Sequence, residues 1–344
     1  MGLFSFSQEL AIDLGTANTI IVRDEEIVVD EPSVVAIDIP TGKLKAVGKK
    51  AAQMQEREND QVRTIRPLRD GVIADFDYCE LMMREFIKMA MPNRRLFTPS
   101  IRMVIGVPTG STEVELRAVR DAAEHAGGRD IQLIYEPMAA AIGVGIEVNK
   151  AEGSMIVDIG GGTTDIAVIS LGGTTYKESI RVAGDELNRD ILEYMARQHN
   201  ARIGEVMAER IKKEVGAAIT KLDDEPSPYV IYAPNRITGR PIEVAVTYQE
   251  IAHCIDKTIS KIEYSIMNAL EKLPAELYSD IVRNGIWLAG GGALIRGLDK
   301  RLSEKIREEV GIPFHVAEEP LLSVVRGVGV ALEHSDEYQS CLMR

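Results

Sequence analysis

Two stretches of this chain read as versions of one another, and that echo narrows the fold more than any other feature. Residues 11–22 are AIDLGTANTIIV and residues 156–168 are IVDIGGGTTDIAV. Each is an apolar strand, an Asp, a turn rich in small residues and a second β-rich strand. The two aspartates, Asp13 and Asp158, lie 145 positions apart. One repeat at domain spacing points to two similar domains, not to a solenoid, whose units recur every roughly 20–50 residues. The 344-residue chain is long enough for two domains. Helix-type and strand-type segments alternate along it, as in an α/β fold.

Each half carries a further strand–turn–helix unit. IRMVIGV (101–107) reads as a buried strand, Pro108 to Ser111 turn the chain, and Thr112 with Glu115 forms a capping box for a helix to about His125, with Gly127 beyond its end. A strand at 131–134 then leads to Glu136-Pro137 and a helix of small residues. In the second half, Ile251, Ile255, Ile259, Ile262, Ile266, Leu270 and Leu273 make one face of a helix over roughly 249–273. The strand IWLA (286–289) runs into Gly290-Gly291-Gly292. The next helix is expected to carry Leu294, Leu298, Leu302, Ile306 and Val310 on one stripe, stopped by Gly311 and Pro313. Residues 222–245, with four prolines, read as a surface hairpin or loop.

The net charge of −13 argues against nucleic acid as a main partner, since an acidic surface repels phosphate backbones. Cys79, Cys254 and Cys341 show no CxxC spacing, which suits a reducing compartment without a disulfide framework or zinc site. No apolar run approaches the ~18 residues of a membrane span. The start, MGLFSFSQEL, lacks the basic and apolar segments of a signal peptide, and Phe6 stands where myristoylation needs Ser or Thr. A cytosolic protein is expected, unless a short amphipathic piece holds it to a surface.

The two Asp-led turns carry the chemistry. A tight turn of small residues aims successive backbone N–H groups into a concave nest that suits a phosphate. A carboxylate at the strand end before it can hold Mg²⁺ through water, because that ion keeps much of its hydration shell. Either turn alone is equally well a plain β-hairpin; two copies a domain apart favour a clamp on a triphosphate. Gly290 to Gly292 add a weaker signal of the same kind. Glu136, just past a strand, can orient or deprotonate a water, or it can be a helix-start carboxylate favoured by the dipole. The residues alone leave both open.

Taken in order, these motifs resemble the actin, Hsp70 and sugar-kinase superfamily: DLGTANT (13–19) its first phosphate motif, DIGGGTTDIAV (158–168) its second and WLAGGGALIRGLDK (287–300) its adenosine motif. EPMAAAIG (136–143) and LLSVVRGVGVAL (321–332) resemble its two connecting segments. EPSVVAI (31–37), RPLRDGVIADFD (66–77) and ERIKKEVG (209–216) narrow the resemblance to the MreB family of bacterial actins, over about Leu10 to Leu332. It implies two RNase H-like domains around a nucleotide cleft: 1–147 plus 319–344, with a small subdomain near 33–75, and 148–318, with one near 183–247. It implies ATP and Mg²⁺ as ligands, Mg²⁺ being held by Asp13 and Asp158. Gly15, Thr16, Ala17 and Asn18 match the first phosphate loop, and Gly160, Gly161 and Gly162 the second. Glu209 and Lys212 match the stretch beside the nucleoside, and Gly290, Gly291, Gly292 and Ala293 the loop at adenine and ribose. Glu136 and Thr163 match the pair that positions the attacking water. Asp165 departs from the Glu common in the family, and 222–245 has no secure counterpart.

The same resemblance implies a homopolymer on the cytoplasmic face of the membrane, working with cell-elongation and peptidoglycan-synthesis proteins. Leu96 and Phe97, beside Arg94 and Arg95, suit insertion at an anionic surface, and Leu3, Phe4 and Phe6 could add a second point. The alternatives are a metabolic phosphotransferase, which would need an acceptor pocket that no motif suggests, and a chaperone ATPase, which would need a peptide-binding domain beyond Arg344.

Overall fold

A computed structural model describes residues 8–92, 100–306 and 311–343. From the start the chain forms β1 (Gln8–Leu14), β2 (Asn18–Arg23) and β3 (Glu26–Pro32). A smaller portion follows: β4 (Val35–Asp38), β5 (Leu44–Val47), α1 (Gly48–Ala52), β6 (Val62–Ile65), β7 (Leu68–Arg69) and β8 (Val72–Ile73). Then come α2 (Phe76–Ala90), β9 (Ile101–Val107), α3 (Glu113–His125), β10 (Asp130–Tyr135) and α4 (Glu136–Gly143). The second half runs through β11 (Ser154–Ile159), β12 (Thr164–Ser170), β13 (Gly173–Ile180), α5 (Gly184–Gln198), α6 (Glu205–Val215), β14 (Tyr229–Pro234) and β15 (Pro241–Val246). It closes with α7 (Tyr248–Glu271), α8 (Ala275–Asn284), β16 (Ile286–Ala289), α9 (Leu298–Ile306), β17 (Phe314–Val316) and α10 (Ser323–Glu333).

The repeat in the sequence is a repeat in space. One sheet has the order β10-β9-β1-β2-β3 and the other β17-β16-β11-β12-β13. In both, three strands meander antiparallel and two more join parallel beyond the first. Parallel strands need a crossover, supplied by α3 between β9 and β10 and by α9 between β16 and β17. Two RNase H-like sheets of this kind make an actin-like α/β fold.

Helices α4 and α10 lie between the two sheets. Their small residues form one core with Ala11, Val104 and Ile134 of the first sheet and Ile156, Ala167 and Ile169 of the second. Gly143 of α4 and Gly327 of α10 sit where a Cβ on either would strike the other helix's backbone, at Ser323 O and Ala139 O. The outer face of the first sheet packs on α2 and α3 through Met82, Phe86, Leu116 and Ala122. The outer face of the second packs on α5, α6 and α7.

Local signals in the sequence account for most elements. Thr112 and Glu115 make a complete capping box, as do Thr247 and Glu250. The α7 stripe from Ile251 to Leu270 is buried. The proline-rich 222–245 region contains the β14–β15 hairpin. The stripe after Gly292 differs from expectation. A one-turn 3-10 helix, Gly291–Leu294, comes before α9, and Leu294 is 54% exposed instead of buried. Gly290 and Gly297 both have positive φ, and Ile295 between them is extended, so one continuous α-helix cannot form. Leu298 and Leu302 keep the buried stripe; Val310 lies outside the described residues.

Candidate functional site

The β1–β2 and β11–β12 hairpins meet tip to tip between the sheets. A Cβ on Gly161 would come within 2.9 Å of the Ala17 Cβ, and one on Gly162 within 2.8 Å of Thr16 Oγ1 and 2.9 Å of the Asp70 backbone. Glycine stands where the opposite turn brings side chain or backbone, so the turns approach as two halves of one cradle. The first is tied down by Ser33, whose Oγ donates to Gly15 O (2.6 Å), and by Gly71 N, which donates to Thr16 Oγ1 (3.0 Å). The second is tied to α5, with Gly184 N and Asp185 N donating to Gly160 O (3.1 Å) and Gly161 O (2.7 Å).

Beneath the turns lie four acidic side chains. Asp13, next to last in β1, is half-buried, and burial pushes its carboxyl up to about 7. Asp158 is next to last in β11, and burial followed by the charges of Asp165 and Asp13 holds it well above the usual carboxylate range. Glu136, the first residue of α4, is raised by burial, then by Asp165, Asp13 and Asp158. Asp165 is raised by burial against several hydrogen bonds, including Oδ1 accepting from Thr109 N (2.8 Å) and Thr109 Oγ1 (2.6 Å). Thr163 is buried beside this group.

Sequence reading passed over Asp165 as a site residue. The signal was present: in an antiparallel hairpin about Gly161-Gly162, residues 158 and 165 face one another, and the observed register pairs them. Like charges directly opposite destabilise a strand pair, so two acids here mark a site that takes positive charge. Buried Asp158 Oδ1 and Asp165 Oδ2 have no hydrogen-bond partner. Orphaned carboxylate oxygens beside a phosphate-type nest fit a hydrated cation such as Mg²⁺. Among the described residues no three His, Cys, Asp or Glu side chains converge in ligand geometry.

The nucleoside-matching residues flank the second turn. Lys212 Nζ donates to Gly184 O (3.0 Å) and pairs with Glu209 (2.6 Å). Burial pushes the Glu209 carboxyl up, but Lys212 and a hydrogen bond from Asn188 outweigh it and hold it at about 2. The Gly290–Ala293 loop docks on the end of β11: Gly290 lies against Asp158 and Ile159, and Gly292 against Ile159. Ala17 and Asn18 are exposed at the tip of the first turn. The first turn, α5 with Lys212, and the Gly290–Ala293 loop therefore all contact the second turn or the strand end that leads into it. The expected membrane residues Leu3, Phe4, Phe6, Leu96 and Phe97 lie outside the described residues. No helix among the described residues is long and apolar enough to cross a membrane.

Known proteins match this arrangement along the whole chain. Cell shape-determining protein MreB of Escherichia coli (strain K12) is 47% identical over 336 residues, 96% of this chain and 95% of that protein. Cell shape-determining protein Mbl of Bacillus subtilis (strain 168) is 41% identical over 333 residues, covering 96% and 98%. The crystal structure of MreB 5 of Spiroplasma citri bound to AMPPNP superposes with a TM-score of 0.89 at 33% identity, over 96% of this chain and 98% of that one. The family model described as MreB/Mbl protein matches residues 7–340. The duplicated sheets, the paired turns and these matches together place the chain in the MreB/Mbl family of actin-like, cell shape-determining proteins.

Proposed function

We propose that this protein binds Mg-ATP in the cleft, hydrolyses it slowly, and polymerises into filaments on the cytoplasmic face of the membrane that organise wall synthesis and maintain cell shape. The contact between the two phosphate-type turns over a buried acidic floor carries this reading. It is supported by the AMPPNP bound to the Spiroplasma relative and by the cell-shape role in the names of the curated relatives. The paired sheets support a division into residues 1–147 plus 319–344 and residues 148–318.

The turns would bind the phosphates by backbone N–H groups, Gly15 to Asn18 from one side and Gly160 to Gly162 from the other. Glu209 and Lys212 would orient the nucleoside from α6, with Gly290 to Ala293 opposite. Asp13 and Asp158 would hold magnesium through water, and that ion would neutralise charge on the β- and γ-phosphates. Glu136 would accept a proton from, or orient, the attacking water, with Thr163 fixing its position. A carboxyl raised by burial is a stronger base once ionised, which suits that role.

Electron microscopy with Mg-ATP, with and without anionic liposomes, tests the reading beside a Leu96→Ser/Phe97→Ser variant. Filaments that coat liposomes, and lose the lipid in the variant, are expected. Absence of polymer under every nucleotide and lipid condition would overturn the cytoskeletal assignment and restore the phosphotransferase. Glu136→Ala should keep nucleotide affinity and slow phosphate release about a hundredfold; release at the parental rate removes Glu136 from the mechanism.

A further inference from the structure

The smaller portion of the first half reaches across to the second half at two points. Helix α6 is preceded by Gly204, which has no side chain to cap it. Its first N–H groups need an outside acceptor. That acceptor is Glu56, 150 residues earlier, whose Oε1 accepts from Val206 N at 3.0 Å. The fit uses a gap that only glycine leaves, because a Cβ on residue 204 would collide with the Glu56 carboxylate. Glu56 itself holds φ of 60°, a backbone conformation that side-chain-bearing residues seldom adopt and that marks a position held for a purpose. The second point is Arg66. Its Nη2 bridges both oxygens of Asp185 (2.9 and 3.2 Å) on the first turn of α5, and Nη1 lies 3.8 Å from Glu205. The same Nη2 is 3.5 Å from Thr16 O in the first phosphate turn.

We propose that Glu56 and Arg66 form a two-point latch that holds the cleft mouth shut and gates nucleotide release, with Glu56 acting as a helix cap supplied from the opposite side of the cleft. The proposal rests on the nucleotide-cleft reading. Helix α6 carries Glu209 about one turn and Lys212 about two turns beyond the capped end, so the cap steadies the helix expected to contact the nucleoside. Opening the mouth frees Val206 N and the Arg66–Asp185 pair together, which ties release to loss of both contacts.

The test uses the full-length chain and Glu56→Gly. Glycine relieves the positive φ while deleting the cap, so the variant should melt no lower than the parent. Spin labels at Lys43→Cys and Thr238→Cys, both exposed, in a Cys254→Ser background report the distance across the mouth without nucleotide. A fluorescent ATP reports release. Expected are a longer, broader label distance and release about fivefold faster, the factor that loss of one helix cap carries. If either quantity stays at its parental value while the parent binds the fluorescent ATP, the latch is wrong. If the parent binds none, the nucleotide reading fails instead, and the label distance alone then decides whether Glu56 holds the mouth closed.

Discussion

The two phosphate-type hairpins share a topology and differ in what they spend at the tip and at the base. The first turn carries side chains, Thr16, Ala17 and Asn18, and a single acid, Asp13, facing Ile20 across the hairpin. The second is bare glycine at the tip and doubly acidic at the base, where Asp158 faces Asp165. The difference is complementary. Two glycine tips would leave a loose seam, and two side-chain tips would collide. Two acids on each hairpin would add charge to a floor that is already costly without a cation.

The largest expected effect concerns the base. Asp13 ionises near 7 in the folded chain, against 3.8 for an ordinary Asp. Between those values only the unfolded chain gives up its proton, so ionisation favours unfolding there. Nucleotide-free stability should fall as pH rises from about 4 to 7 and level off above, by on the order of 2–4 kcal/mol. Burial shifts Asp158 and Glu136 in the same direction. Denaturant unfolding at pH 4.5 and 7.5 measures the slope, and Asp13→Asn should flatten it. A parental slope in that variant would place the cost on Asp158 and Glu136 instead.

Next comes the tip. Gly162→Ala puts a methyl against Thr16 and the Asp70 backbone, where little can yield. ATP affinity should drop about tenfold or more in a fluorescent-ATP titration. The reciprocal change, Ala17→Gly, only empties space on the exposed turn and should stay within about threefold. Equal losses in the two variants would contradict the complementary seam. The smallest effect is expected from Asp165→Asn, which keeps an acceptor for Thr109 and removes the charge opposite Asp158. It should stabilise the nucleotide-free chain by about 0.5–1 kcal/mol at pH 7.5. A destabilised variant would mean that the Thr109 bonds need the full carboxylate.

What could be read from the sequence was what lies close along the chain. The capping boxes at Thr112 and Thr247 need only three residues' spacing, and the α7 stripe only one helical period. The 286–289 strand is a short apolar run stopped by glycine. The paired turns were legible because the motif occurs twice. Cross-chain partners were not: Thr109 meets Asp165, Arg66 meets Asp185, and Glu56 meets α6, at separations of 56, 119 and 150 residues with no periodicity to announce them. Leu294 was misplaced because an apolar residue at helical spacing gives no sign of the positive-φ glycines that break the helix around it. Asp165 becomes legible only when the hairpin's symmetry about Gly161-Gly162 is followed outward to its base, where it faces Asp158.

The close crossing of α4 and α10 bears on how the two halves communicate. Most helix pairs are separated by a layer of interlocking side chains whose size sets their spacing. Here Ala139, Gly143, Ser323 and Gly327 bring main chain against main chain, and there is no soft layer to deform. Such a joint resists sliding and compression but permits rotation, as a pin permits a lever to turn. If the chain binds nucleotide and polymerises as proposed, a small displacement at the turns would be carried through this joint as a rotation of one half against the other, which a neighbouring subunit would meet as a change of angle.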